Sequence, residues 1–156
     1  MKQILIALDY DPSAQKVAEA GFELATGMGA DVTLLHVIAD PTYYSSTAYS
    51  PIMGFGGYAD LDFLEPDIKA ELTNASYQFL TKTKEHLKAN AMQLLVSEGD
   101  VAATILEAAK KIHAGTIVMG SHSRKWLETV LLGSVAEKVL RHSDIPLFIV
   151  PTKKQP

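Results

Sequence analysis

The chain contains the stretch Thr116-Ile117-Val118-Met119-Gly120-Ser121-His122, followed further on by Gly133-Ser134-Val135. Its first four residues are apolar or β-branched, which predicts a buried strand that stops at Gly120. An amphipathic pattern then predicts a helix. The order strand, glycine turn, helix is the one in which α/β proteins present backbone N–H groups to a phosphate. The stretch therefore indicates an α/β fold, and it leaves two interpretations of the turn open, a phosphate site or a purely structural turn.

Two starting points are open for the helix that follows this strand. If it runs from about residue 126 to residue 141, Gly133 lies in its interior and serves as a helix–helix contact. If it begins at Gly133, Ser134 lies at its N-terminus, where unpaired N–H groups and the helix dipole favour an anion. The spacing of the leucines between Trp126 and Gly133 fits both alternatives.

The remaining chain alternates strand and helix signals. Besides the strand at 116–119, apolar runs predict strands at residues 4–8, 32–38, 93–97 and 145–150. Helical spacing predicts helices that follow Ser13, run from Ile68 to about Asn90, and follow Asp100. Such alternation predicts a doubly wound parallel sheet. We expect one domain over residues 1–156, with a long loop at about 40–67 that is either a lid, an oligomer contact or a surface insertion.

The composition excludes several classes of function. The chain has 156 residues, 47% of them hydrophobic, and a net charge of −4, so it carries no charge pattern for nucleic acid. It has no cysteine, which excludes disulfides, thiolate metal sites and a cysteine nucleophile. No apolar run approaches the roughly 20 residues of a membrane span. The N-terminal apolar run is interpreted as a strand and not as a signal peptide, so we expect a cytoplasmic location.

Candidate site residues follow two of the predicted strands. Asp9 ends the first strand and Gly120 ends the fourth, and ligands of open parallel sheets bind at such ends, where the winding direction reverses. Asp9 is either a site residue or the cap of the following turn. His122 has no titratable partner fixed by the sequence, so we interpret it as a surface or backbone-bonded histidine and assign no catalytic residue. His36 is predicted to be a core residue, and no histidine pair has metal-ligand spacing.

The chain resembles the universal stress protein family over nearly its whole length. The resemblance rests on the opening strand ending in Asp9 and on Leu34-Leu35-His36-Val37-Ile38, Val118-Met119-Gly120-Ser121-His122, Leu131-Leu132-Gly133-Ser134-Val135-Ala136 and Pro146-Leu147-Phe148-Ile149-Val150. The ATP-binding signature of the family is G-2x-G-9x-G-[ST], and Gly120, position 123 and Gly133-Ser134 match its spacing. Ser123 stands where the signature has its second glycine.

This resemblance implies a fold, a ligand and a partner. The fold is a five-stranded parallel sheet of order 3-2-1-4-5 in an adenine nucleotide alpha hydrolase-like three-layer sandwich. The ligand is ATP or AMP, with Mg or Mn carried by its phosphates and not by protein ligands. The main chain of Val37 would contact adenine. The implied nucleotide-binding residues are Ala7, Asp9, Val37, Met119, Gly120, Ser123, Gly133, Ser134, Val135 and Ala136. The residue types after Gly120 add two candidates, the backbone N–H of His122 and the guanidinium of Arg124, which suits a phosphate. The implied partner is a second copy, paired through Leu147, Phe148, Ile149 and Val150.

Three functions are compatible with these residues. The first is a dimeric nucleotide-binding regulatory protein of the stress response, with slow or no turnover of ATP. The alternative is an interaction module of the same fold that binds no nucleotide, which Ser123 and the aromatic residues of the long loop would favour. An ATP-consuming enzyme ranks last, because no general base has an orienting partner in the sequence pattern.

Overall fold

Five parallel strands form one sheet in the computed structural model, which describes residues 2–39, 66–121 and 132–152. The strands are β1 (Gln3–Ala7), β2 (Asp31–Ala39), β3 (Gln93–Gly99), β4 (Thr116–Gly120) and β5 (Leu147–Val150). Their order in the sheet is β3-β2-β1-β4-β5, and every neighbouring pair is parallel. The predicted doubly wound sheet of order 3-2-1-4-5 is therefore confirmed.

Helices cover both faces of this sheet. Within the described residues they are α1 (Ala14–Met28), α2 (Pro66–His86), α3 (Val101–Lys111) and α4 (Ser134–His142). None of these described helices combines the length and the apolar character that crossing a membrane requires.

The side chains of β1 alternate between two separate cores, as the twofold period of a strand requires. Ile4 and Ile6 belong to the core that contains Val17 of α1, whereas Leu5 belongs to the core that contains Ile105 of α3. All three β1 residues are 0–1% exposed. The central strand is buried on both faces because a helix layer covers each one, which explains its continuous apolar run.

Gly21 lets α1 approach the centre of the sheet. A Cβ atom at this position would lie 2.6 Å from Cδ1 of Ile6 and 3.1 Å from Cγ1 of Val118. A larger residue would therefore require the Ile6 side chain or α1 itself to shift. This close contact fixes the first helix beside the two strands whose ends carry the candidate site.

The structure corrects several predicted boundaries. The helix from about residue 126 to residue 141 is wrong, because Gly133 is extended (φ −66°, ψ 161°) and α4 begins at Ser134. Glycine disfavours a helix interior, and the N–H of Gly133 donates to the carbonyl of Ser121 instead. The last strand begins at Leu147 and not at residue 145, since Pro146 has no N–H for the ladder. Helix α2 already begins at Pro66 and ends at His86. Residues 40–65 of the predicted loop lie outside the described residues.

Candidate functional site

A cleft lies at the carboxyl ends of β1 and β4. These two strands are neighbours, and the chain winds away from them in opposite directions, towards β2 and β3 on one side and towards β5 on the other. The cleft encloses about 660 Å³ of space, part of it open to solvent. The switch point of a doubly wound sheet is where ligands of such folds bind.

The walls of the cleft are mainly apolar and its rim is polar. Its apolar lining is made by Ala7, Leu8, Ala14, Val17, Leu35, Val37, Val101, Ile105, Met119 and Val135. Its polar lining is made by Asp9, Asp11, Ser13, Gly120 and Gly133. An apolar slot with a few polar groups at one end suits a flat ring with a polar substituent.

Most of the predicted site residues meet in this cleft. The structure brings together Ala7, Asp9, Val37, Met119, Gly120, Gly133 and Val135. Ser134 and Ala136 lie next to them in the first turn of α4, with the Ser134 side chain exposed and the Ala136 side chain buried in the core. His122, Ser123 and Arg124 lie outside the described residues.

Within the described part of the chain, no side chain caps the N-terminus of α4. Gly133 is the N-cap residue, and its carbonyl accepts the first bond of the helix from the N–H of Glu137 at 2.9 Å. The N–H groups of Ser134, Val135 and Ala136 precede that bond and therefore have no partner within the helix. A serine or aspartate at the N-cap would place an oxygen over them, which glycine cannot do. Open N–H groups at a helix N-terminus form an anion site.

The main chain of Val37 lies just past the end of the β1–β2 ladder. The last residue pair of that ladder is Ala7 with Leu35, and the N–H of Leu8 donates to the Leu35 carbonyl at 2.8 Å. Alternate residues of a strand direct their N–H and C=O groups to the same neighbour. The polar groups of Val37 therefore face the side on which the paired part of β1 has ended.

The two carboxylates at the rim close turns as well as lining the cleft. Oδ1 of Asp9 accepts a hydrogen bond from the N–H of Tyr10 at 3.0 Å. Oδ1 of Asp11 accepts from the N–H and the hydroxyl of Ser13, at 2.9 and 2.7 Å. Asp9 thus accepts from the main chain of the next residue and also lines the cleft, and its role as a site residue stays a prediction. The described residues that line the cleft include no lysine, arginine or histidine, so their charge is negative.

His36 is a buried core residue, as predicted. Its ring is 1% exposed, Nδ1 donates to the Leu8 carbonyl at 2.9 Å, and the ring packs edge-on against Phe79 with centroids 5.7 Å apart. Burial lowers the pKa of His36, against smaller opposing effects of the Leu8 carbonyl and the charge of Asp9. The imidazole is therefore neutral near pH 7 and holds the end of β1 in place. Among the described residues, Nε2 has no hydrogen-bond partner.

The chain supplies no metal cage within its described part. No group of three or more histidine, aspartate or glutamate side chains there could hold an ion. Asp9 and Asp11 are the two acidic residues that line the cleft.

Sequence reasoning missed part of the cleft wall. Leu35, Val101 and Ile105 line it, but their spacing is that of ordinary core residues of a strand and a helix. Asp11 also lines it, just before the predicted helix that follows Ser13. No local signal marks these residues, because their role depends on which elements the fold places side by side.

The fold and the cleft define a doubly wound α/β protein with a cleft at the switch point of its sheet. Residues 1–151 match the sequence model of the Universal stress protein family. The chain belongs to that family.

Individual relatives align over nearly the full length of the chain. Universal stress protein MJ0577 of Methanocaldococcus jannaschii is 26% identical, with 97% of this chain and 96% of the relative covered. The solved structure of MJ0577 has a TM-score of 0.76 at 25% identity and covers 99% of this chain and 98% of that one. Stress response protein NhaX of Bacillus subtilis is 28% identical, with 95% and 96% covered. A universal stress protein solved in complex with cAMP has a TM-score of 0.61 at 18% identity, with 97% and 98% covered.

Proposed function

We propose that this protein binds an adenine nucleotide, ATP or AMP, in the cleft at the ends of β1 and β4. We propose further that it acts as a regulatory protein of the stress response in the cytoplasm and not as a catalyst. The observation that carries the proposal is the N-terminus of α4, where Gly133 leaves three N–H groups uncapped at the polar end of an apolar slot.

The apolar part of the cleft suits the adenine ring. Val37, Val101 and Ile105 provide aliphatic surface from β2 and α3, and Ala7 leaves room at the end of β1. The edge of a purine also needs hydrogen-bond partners. The main-chain groups of Val37, past the end of the β1–β2 ladder, are suited to meet it.

The phosphates would lie against the first turn of α4. The N–H groups of Ser134, Val135 and Ala136 and the positive end of the helix dipole favour negative charge there. Gly120 and Gly133 line the cleft at this end and add no side chain between the main chain and a ligand.

Charge sets the orientation of the nucleotide and the need for a cation. Asp9 can accept hydrogen bonds from ribose hydroxyls, whereas it would repel phosphates, so the ribose belongs near β1 and the phosphates near α4. A triphosphate in a cleft that carries Asp9 and Asp11 would be favoured by a divalent cation, Mg or Mn, bound to its own oxygens.

The relative solved with cAMP supports this class of ligand, because cAMP combines an adenine ring with a phosphate. It is a relative of low identity, so the support concerns the chemical class of the ligand. The particular contacts proposed here come from the cleft of this chain.

We also propose that the protein is a homodimer paired through β5. This strand lies at the edge of the sheet beside β4, and Phe148 on it is 39% exposed. An edge strand with an exposed aromatic residue is suited to pair with a second copy. The molar mass in solution, measured by light scattering, tests this: a mass near twice 16.9 kDa is expected, and a monomer would contradict it.

Thermal unfolding with and without ligand tests the nucleotide site. A ligand that binds only the folded state stabilises it by about 2.7 kcal/mol at a hundred times its Kd, which raises Tm by roughly 5–10 °C for a domain of this size. We expect ATP and AMP with magnesium to raise Tm, and adenosine to raise it less. GTP is the matched control, since it has the same phosphates as ATP on a different base. Unchanged Tm with every adenine nucleotide would contradict the proposal and favour an interaction module that binds no nucleotide.

A further inference from the structure

Ser121 joins three parts of the molecule at the end of β4. It is 7% exposed, and it directly follows the strand. Its N–H donates to the carbonyl of Val150 at 2.9 Å, and its own carbonyl accepts from the N–H of Gly133 at 2.6 Å. Its hydroxyl accepts from the N–H of Thr152 at 3.0 Å and lies 3.3 Å from the Thr152 hydroxyl.

These bonds reach two different elements beside the end of β4. Gly133 is the N-cap of α4 and lines the cleft, whereas Val150 and Thr152 belong to the end of β5 and the chain after it. Ser121 thus bonds both to the end of β5 and to the start of α4. It does not itself line the cleft.

We propose that Ser121 is a positioning residue for the phosphate end of the site, a role that rests on the proposed function. Its carbonyl sets the place of Gly133 and so of the three N–H groups that follow. Its hydroxyl, held by the N–H of Thr152, fixes the carbonyl in turn. Nucleotide phosphates are then bound by a helix end whose position depends on residues after the last strand.

The position of Ser121 predicts which part of the ligand is bound less tightly when the Ser121 hydroxyl is removed. The slot for the base is formed mainly by β1, β2 and α3, through residues such as Val37, Val101 and Ile105. Among the described residues, the hydrogen bonds of Ser121 go to Val150 and Thr152 at the end of β5 and to Gly133 at the start of α4. Loss of its hydroxyl should therefore weaken ligands that carry a phosphate and spare adenosine.

The test compares AMP and adenosine by calorimetric titration of the wild type and of Ser121→Ala. We expect the Kd of AMP to rise about fivefold to tenfold, the effect of one hydrogen bond, and the Kd of adenosine to change by less than about twofold. A general loss of stability would not change the ratio of the two affinities. If Ser121→Ala leaves the ratio of the AMP and adenosine Kd values unchanged, the positioning role of Ser121 is overturned, while the proposed nucleotide site is not. If the wild type binds only ATP, ATP replaces AMP in this comparison. If it binds neither AMP nor ATP, the proposed function is overturned, and this inference with it.

Variants at Thr152 test the same bond from its other side. Thr152→Pro removes the N–H that donates to Ser121, and Thr152→Val is the matched control that keeps the N–H and removes only the hydroxyl. We expect Thr152→Pro to raise the Kd of AMP about as much as Ser121→Ala does. Thr152→Val should leave the Kd of AMP near the wild-type value. In the double variant Ser121→Ala/Thr152→Pro the two effects should not add, because both remove one bond. Full additivity would overturn the proposal.

Discussion

Helices α3 and α4 begin at the same edge of the sheet, but only the N-cap residue of α3 has a side chain that can accept a hydrogen bond. The N-cap of α3 is Asp100, whose carboxylate accepts a hydrogen bond from the N–H of Ala103 at 3.0 Å. The N-cap of α4 is Gly133, which has no side chain to offer. In α3 the N-cap side chain thus accepts from a first-turn N–H group, whereas in α4 the first-turn N–H groups can bond only to a group outside the helix. The residue type at one position thus decides which of two similar helix ends can serve a ligand.

The open end costs α4 little stability. Replacing an N-cap serine, asparagine or aspartate by glycine costs only a few tenths of a kcal/mol, whereas alanine costs about 1 kcal/mol. The nine residues of α4 are held mainly by Ala136 and Val139, which are 2% and 0% exposed in the core. Glycine is therefore the residue that leaves the N–H groups open while the helix stays formed.

The largest expected effect comes from closing the α4 end with the residue used by α3. In Gly133→Asp the new carboxylate would accept from the first-turn N–H groups and repel phosphate. We expect the Kd of AMP to rise about thirtyfold or more, which corresponds to roughly 2 kcal/mol. Tm without ligand should stay equal or rise slightly, because the helix gains a cap. Calorimetric titration and thermal unfolding measure the two quantities.

A control for the added charge uses another glycine. Gly27 lies near the end of α1, exposed and with no atom within 4 Å of an added Cβ. Gly27→Asp changes the net charge equally and should leave the Kd of AMP near wild type. Equal weakening of AMP by both variants would mean that overall charge, and not the α4 end, governs binding.

The next effect comes from removing the cap of α3. Asp100→Ala should lower the free energy of unfolding by about 1 kcal/mol and Tm by roughly 2–4 °C. The affinity for AMP should not change, since Asp100 does not line the cleft. Thermal unfolding and titration of the same variant check both statements. A marked loss of AMP binding here would contradict the contrast between the two helix ends.

The smallest expected effect is a pH dependence of stability, which sets the pH at which variants at the N-termini of α3 and α4 should be compared. Burial lowers the pKa of His36 below its ordinary value of 6.5, so below that pH the unfolded chain binds a proton that the folded chain does not. Stability from this source is complete above pH 6.5 and is lost as the pH falls below it. Between pH 7.5 and 6.0 the loss should be less than about 1 kcal/mol.

The variant His36→Asn tests this dependence, because asparagine keeps an N–H donor and does not titrate. The fall of Tm between pH 7.5 and 6.0 should be smaller in the variant than in the wild type. The other histidines are present in both proteins and cancel in the comparison. An equal fall in both would show that His36 does not contribute to the pH dependence.

The sequence patterns predict the sheet well and the α4 end poorly. The apolar runs of β1 and β4 have no competing interpretation, since a strand buried on both faces needs them. The start of α4 could not be decided, because the leucines before Gly133 fit a longer helix. What decides it is the bond from Gly133 to Ser121, which joins residues on two different elements. The cleft residues Val101 and Ile105 likewise have the spacing of any buried helix face.

The most direct test of the open helix end is a set of backbone amide NMR spectra recorded with AMP and with adenosine. The difference between the two ligands isolates the phosphate. We predict that the amide signals of Ser134, Val135 and Ala136 shift with AMP and much less with adenosine. The amide of Ala103, which already donates to Asp100, should show no such difference. If AMP at saturation left the three α4 amides where adenosine leaves them, the claim that α4 binds the phosphate would be wrong.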